Sequence, residues 1–149
     1  MVLVKGEGCK VWDVEGKEYL DFVAGIGVCN LGHCHPKVTR AVQEQAEICE
    51  VWGFGSTEAE CKLGEKVAEY IPSVEKVRVC NAGTDATYHA IRLARAHTKR
   101  KKIIKFEGAY HGLGYGALNV TYREHFRSPF RPQLREFGHF VPFPARREE

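Results

Sequence analysis

The sequence lacks any apolar run that approaches the ~18–20 residues of a membrane-spanning helix, so no transmembrane segment is expected. Charge of one sign is also scarce. The 22 Lys+Arg against 19 Asp+Glu leave a formal net charge of +3 over 149 residues, too little to imply nucleic acid or a membrane surface as a partner. The leading residues, Met1-Val2-Leu3-Val4-Lys5-Gly6-Glu7-Gly8, carry no basic stretch ahead of a long apolar core. No secretory signal is therefore expected, and the cytoplasm is the expected compartment. Internal repeats and low-complexity tracts are missing too. What is present, 44% hydrophobic and 28% charged residues, matches an ordinary soluble globular domain and excludes a disordered, collagen-like or coiled-coil chain.

Cysteine is present, but not in the spacing of a metal knuckle. The six cysteines are Cys9, Cys29, Cys34, Cys49, Cys61 and Cys80, with no C-x-x-C pair among them. A chain of this length and ordinary core composition reads as one with free thiols in a reducing compartment rather than as a disulfide scaffold. Cys29, His33, Cys34 and His35 do bring together the thiolate and imidazole ligands that zinc prefers. No second matching pair accompanies them, so a turn whose histidines are packed or hydrogen-bonded is expected, and no metal.

Periodicity organises the chain. Cys9–Val14 and Glu18–Val23, separated by Glu15-Gly16-Lys17, predict a β-hairpin turned at glycine. Gly25, Gly27 and Gly32 punctuate the loop that follows. Pro36 suits the first position of a helix, and Val38, Ala41, Val42, Gln45 and Ala46 continue an amphipathic stripe to about Cys49. Thr57 and Glu60 stand in the S/T-x-x-E relation of a capping box, opening a second helix that Pro72 ends. Beyond it the pattern alternates: Lys76–Cys80 as a strand, Asp85–His97 as a helix and Ile103–Phe106 as a strand. This succession predicts a βαβ unit, a parallel sheet and an α/β fold. A boundary is expected near residue 55, separating a hairpin-and-helix piece, residues 1–55, from an α/β piece, residues 56–149. Arg123, Arg127, Arg131 and Arg135 recur every four residues, but Pro129 and Pro132 interrupt a helix there, so this is expected to be a loop and not a nucleic-acid groove.

Two segments follow the predicted strand ends, where ligands bind in parallel α/β sheets. Val79-Cys80-Asn81-Ala82-Gly83-Thr84-Asp85 runs from a strand into a helix. Glycine there lets a ligand approach the backbone, the free N–H groups of a helix start attract an anion, and the Thr84 hydroxyl adds a donor. The plainer reading is that Thr84 caps the helix and Gly83 makes the turn. In Phe106-Glu107-Gly108-Ala109-Tyr110-His111-Gly112 an exposed aromatic could stack on a flat heterocycle, with His111 in hydrogen-bonding reach. Tyr110 as ordinary packing is the alternative.

Glu7-Gly8 through Pro36, Ile71–Ala96 and Lys102–Gly112 resemble, in collinear order, segments of the class III aminotransferases, pyridoxal-phosphate enzymes of fold type I. The resemblance implies the N-terminal portion of such an enzyme, with part of a small domain followed by the start of a mostly parallel large-domain sheet. It places the phosphate-binding Ser-Gly-Thr at Ala82, Gly83 and Thr84, and the ring-stacking aromatic at Tyr110 with His111 beside it. Ala82 replaces the usual serine and Asp85 the usual glutamate. Some segments look most like glutamate-1-semialdehyde aminomutase and others like ω-transaminases. Several relatives carry an arginine after His-Gly for a substrate carboxylate, where this chain has Leu113, which cannot bind an anion.

The activity so implied is transfer of an amino group from an amino acid or amine to a 2-oxo acid or aldehyde, by a homodimer using pyridoxal 5'-phosphate. A 2,1-aminomutase-type isomerisation is the alternative, and a non-catalytic remnant that keeps only the phosphate loop is a third. The lysines are at 5, 10, 17, 37, 62, 66, 76, 99, 101, 102 and 105, and none stands in the family's Schiff-base motif. The expected catalytic set within these residues is therefore empty, and the 149-residue chain alone is expected to be inactive.

Overall fold

Short antiparallel strands begin the chain. In the computed structural model, which describes residues 1–49, 51, 53–135 and 138–144, β1 (Leu3–Glu7), β2 (Lys10–Asp13) and β3 (Glu18–Leu20) form a three-stranded antiparallel sheet in that order. The predicted hairpin is its β2–β3 half, with Val11 opposite Tyr19 and Trp12 opposite Glu18. Its turn is organised by Asp13, whose Oδ1 accepts the Glu15 and Lys17 N–H groups at 3.0 Å each while Oδ2 accepts the Tyr19 hydroxyl at 2.7 Å. The Tyr19 hydroxyl, and after it the two backbone donors, hold the Asp13 carboxyl below the usual aspartate range.

The glycine-punctuated loop is tied down in the same way. Asp21 Oδ1 accepts the N–H groups of Val23 and Ala24, at the start of the single turn α1 (Ala24–Gly27), and Asp21 Oδ2 lies 2.6 Å from His33 Nε2. His33 also exchanges backbone hydrogen bonds with Gly8. The cysteines are free thiols, and no group of three His, Cys, Asp or Glu side chains among the described residues is placed to hold a metal ion.

Helix α2 (Pro36–Ile48) starts at Pro36 as the sequence suggests, and α3 (Glu58–Tyr70) follows. The capping box forms: Glu60 N–H donates to Thr57 Oγ1 at 3.2 Å, and Thr57 N–H to Glu60 Oε2 at 3.0 Å. The chain divides into two compact units, Met1–Leu63 and Gly64–Glu149, with the division inside α3.

The second unit holds α4 (Gly83–Thr98), β4 (Ile103–Phe106), the short helices α5 (Tyr115–Leu118) and α6 (Glu124–Arg127), a 3₁₀ helix (Ser128–Gln133) and β5 (Gly138–Val141). A parallel pair is present, but it is not the expected one. Ile103–Phe106 pairs with Gly138–Val141, whereas Lys76–Cys80 carries no strand ladder. A strand exists only through a partner's backbone groups. No partner for Lys76–Cys80 stands among the described residues, so the predicted strand–helix–strand unit is replaced by a crossover from β4 to β5.

The centre of this unit is small and partly polar. Ala117, Leu118 and Val120 are buried, and Thr121 is fully so. Lys105 is buried as well, its Nζ donating to the Asn119 carbonyl at 3.0 Å and lying 4.0 Å from the Phe140 ring centroid. Tyr122 meets the same ring edge-on at 5.1 Å. The arginine series is no continuous face, because α6 ends at Arg127, which is buried beside Phe140, and Arg131 turns to Glu124 in a two-bonded ion pair. By contrast, α2, α3 and α4 have no buried residue. No helix among the described residues is long and apolar enough to cross a membrane.

Candidate functional site

The site residues expected from the sequence share one cavity. It measures about 490 Å³ and is lined by Ala82, Gly83, Thr84 and Thr87 from the start of α4, and by Tyr110 through Gly114 from the loop after β4. Both flanks lie in the second unit. Ala82 is the N-cap of α4 in an extended conformation, and no side chain caps the helix. Gly83 and Thr84 are its first two residues. The helix thus begins two residues earlier than the periodicity indicated.

That early start decides the role of Thr84. Lying within the first turn, it is not the cap, which corrects the plainer reading of this position. The first N–H groups of a helix have no partner within it. Those of Asp85 and Ala86 reach back to the Ala82 carbonyl at 3.1 Å. The N–H groups of Gly83 and Thr84 meet no acceptor among the described residues. Gly83 does not adopt a positive φ, and a Cβ placed on it would meet nothing within 4 Å. Neither turn geometry nor packing against the described residues therefore requires glycine there. Its missing side chain leaves two backbone donors and the positive end of a 16-residue helix open to an anion.

The second flank is pressed onto the first. Gly112 is buried with φ +112°, and a Cβ on it would lie 2.6 Å from Thr84 Cβ and Oγ1, closer than any side chain could sit. Glycine is required here on both counts. Gly114 N–H donates a long 3.3 Å hydrogen bond to Thr84 Oγ1, which leaves the Thr84 hydroxyl proton free to donate elsewhere. Tyr110, on the cavity wall, is 54% exposed and packs edge-to-face with Phe126 at 5.5 Å between ring centroids. Exposed His111 follows it, then Leu113, also on the cavity wall. Sequence reasoning missed Thr87, one helical turn beyond Gly83, and the closeness of Gly112 to Thr84. The spacing of residues 83, 84 and 87 on one helix face was the available signal for the former. No local signal could have given the latter.

A sequence profile of the family described as Aminotransferase class-III matches residues 1–149. Acetylornithine aminotransferase of Methanopyrus kandleri is 46% identical over 145 residues, 96% of this chain and 37% of that protein. Glutamate-1-semialdehyde 2,1-aminomutase of Aquifex aeolicus is 56% identical over 120 residues, 80% of this chain and 28% of that protein. Among solved structures, taurine:2-oxoglutarate aminotransferase from Bifidobacterium kashiwanohense, in complex with PLP and glutamate, superposes with a TM-score of 0.88 at 27% identity, covering 96% of this chain and 33% of that one. The chain spans 26–37% of the length of the first curated relatives it matches.

Proposed function

The chain belongs to the class-III aminotransferase family, and from that premise we propose that it forms the phosphate- and ring-holding part of a pyridoxal-phosphate-dependent aminotransferase of fold type I. The observation that carries this reading is the pair of unengaged N–H groups at Gly83 and Thr84, which open on the cavity that Tyr110 also lines.

The residues present fit the cofactor. A phosphate dianion is held by oriented backbone donors at a helix start, and the Thr84 hydroxyl adds a third donor. Ala82 has no polar side-chain atom to offer. Tyr110 presents a flat face to an aromatic ring, and His111 a hydrogen-bonding group beside it. Leu113 keeps that stretch of wall apolar and binds no substrate carboxylate. When bound, pyridoxal phosphate supplies an electron sink for the carbon that bears the substrate's amino group. The work of these residues is to hold and orient it.

In this reading residues 1–55 belong to the small domain and residues 56–149 to the large one. The whole enzyme acts in the cytoplasm as a homodimer on an amino acid or amine donor and a 2-oxo acid or aldehyde acceptor. Nucleic acid and membrane are not partners. A 2,1-aminomutase-type isomerisation is the second reading, favoured by the higher identity of the aminomutase relative. No lysine lines the cavity, and none stands in the family's Schiff-base motif. The 149-residue chain by itself is therefore expected to bind the cofactor only non-covalently and to turn over no amino donor. Borohydride should fix no pyridoxyl group to a single lysine.

Titrating pyridoxal phosphate into the wild type, Thr84→Ala and Tyr110→Ala tests the assignment. A hydrogen bond to a charged group contributes ~1.5–3 kcal/mol, so Thr84→Ala should weaken binding roughly tenfold or more. Equal affinity in all three proteins would show that the phosphate cradle lies elsewhere.

A further inference from the structure

Tyr110 lies on a loop, yet the backbone on each side of it is pinned by one short segment. Ahead of it, the Ala109 carbonyl accepts the Tyr122 N–H at 2.8 Å. Behind it, the His111 N–H donates to Thr121 Oγ1 at 3.1 Å. The Thr121 hydroxyl in turn faces two carbonyls, Gly112 at 2.9 Å and Ala117 at 3.4 Å. Its single proton serves the closer, leaving the Ala117 carbonyl as a long secondary contact. Thr121 thus closes a local bridge that accepts from His111 and donates to Gly112, the two residues that follow Tyr110.

The post from which this bridge projects is the most buried part of the unit. Thr121 has no solvent exposure, and Ala117 and Leu118 have 1% each. Asn119 fixes the same segment from the other side. Its Nδ2 donates to the Tyr115 carbonyl at 2.5 Å, its Oδ1 accepts the Arg135 N–H at 3.0 Å, and its own carbonyl accepts buried Lys105. A hydroxyl on a rigid post can set a loop to within the fraction of an ångström that binding geometry demands. A valine of the same shape would leave the His111 N–H without its acceptor and the Gly112 carbonyl without its donor.

We propose that Thr121, which is buried behind the cavity wall and does not line it, is the positioning residue of this site: its hydroxyl sets the His111–Gly112 backbone and thereby the plane of the Tyr110 ring. The proposal rests on the reading of Tyr110 as the ring-stacking residue. It requires that Thr121 act on binding through Tyr110 and not through general stability.

The test is a double-mutant cycle read by pyridoxal phosphate titration of the 149-residue chain, covering Thr121→Val, Tyr110→Ala and the two combined, with Thr121→Ser and Thr84→Ala alongside. Thr121→Val should weaken binding about tenfold, the equivalent of one hydrogen-bond pair left unmade in a buried site. Thr121→Ser should restore affinity to within about twofold, because only the hydroxyl matters. In the Tyr110→Ala background, Thr121→Val should add less than about a twofold loss, since coupled sites are non-additive. Amide hydrogen exchange gives a second readout, in which His111 protection falls in Thr121→Val and returns in Thr121→Ser. Full additivity of the two losses, unchanged binding in Thr121→Val, or unchanged His111 exchange overturns the positioning role. Unchanged binding in Thr84→Ala overturns instead the reading of the site on which it rests.

Discussion

Helices α3 and α4 begin in opposite ways. At α3 the first turn closes on itself, Thr57 and Glu60 each accepting the other's N–H. At α4 the N-cap is Ala82, no side chain caps the helix, and the N–H groups of Gly83 and Thr84 meet no acceptor among the described residues. Both helices face the same physical problem, since the first turn leaves donors that the helix itself cannot satisfy. One solves it with its own side chains and ends as scaffold. The other leaves it open beside a cavity lined by an aromatic ring and a glycine pressed flat against it. A helix start without a cap is a local cost of about 1 kcal/mol, and here that cost coincides with the residues that the family resemblance assigns to phosphate.

The largest expected effect comes from closing the open end. Gly112→Ala places a methyl group 2.6 Å from Thr84 Cβ at φ +112°, so the loop must move off the helix. The backbone strain alone costs about 1–3 kcal/mol. Pyridoxal phosphate affinity should fall by about tenfold or more, and titration that shows wild-type affinity would break the claim that Gly112 sets the cavity wall.

Exchanging the caps is the next step down. Ala82→Ser gives α4 the N-cap it lacks and should raise the stability of the ligand-free protein by ~0.5–2 kcal/mol. Thr57→Ala removes half the capping box of α3 and should lower stability by about 1 kcal/mol, with pyridoxal phosphate affinity unchanged. Thermal melts paired with titrations check both. If Thr57→Ala weakened binding as much as Thr84→Ala, the division into scaffold helix and binding helix would be lost.

The smallest effect concerns donors satisfied by carboxylates. Hydrogen bonds from the Tyr19 hydroxyl and the Lys17 and Glu15 N–H groups depress the Asp13 carboxyl, as those from His33, Ala24 and Val23 depress Asp21. A depressed carboxyl adds stability that is complete above the ordinary aspartate range and is lost as the pH falls through the lowered value. Acidification should therefore loosen the β2–β3 turn and the loop after β3. Amide exchange at Glu15, Lys17, Val23 and Ala24 should quicken relative to intrinsic rates at low pH, while the first turn of α4, which has no such partner, shows no step there. A flat profile at Glu15 and Lys17 would show that Asp13 does not hold the turn.

Much of the fold was legible because its signals are local. The hairpin followed from two runs with aromatic and β-branched residues around Gly16, α2 from Pro36 and its stripe, α3 from Thr57 and Glu60, and β4 from four apolar-rich residues that fall on the observed bounds. The first strand and β5 escaped notice. Gly138-His139-Phe140-Val141 is short, opens on glycine and has no alternation, and it becomes a strand only because β4 lies beside it. Lys76–Cys80 is the converse, a stretch of strand-like composition with no ladder among the described residues. Composition favours extended backbone, but only a neighbour's N–H and C=O groups turn it into sheet.

The site divides along the same line. Residue identities by themselves determined that a glycine and a threonine stand where an apolar stretch runs into a helix, and that an exposed aromatic and a histidine follow β4. Those are properties of single segments, readable from side-chain chemistry and near-neighbour spacing. Tertiary structure decided that Ala82 and not Thr84 is the cap, that Gly112 lies against Thr84, and that Thr121 reaches back to hold the loop behind Tyr110. The last two depend on the approach of residues roughly ten to thirty positions apart. A close contact or a hydrogen bond across such a distance is set by how the chain packs, and packing energy belongs to no single segment.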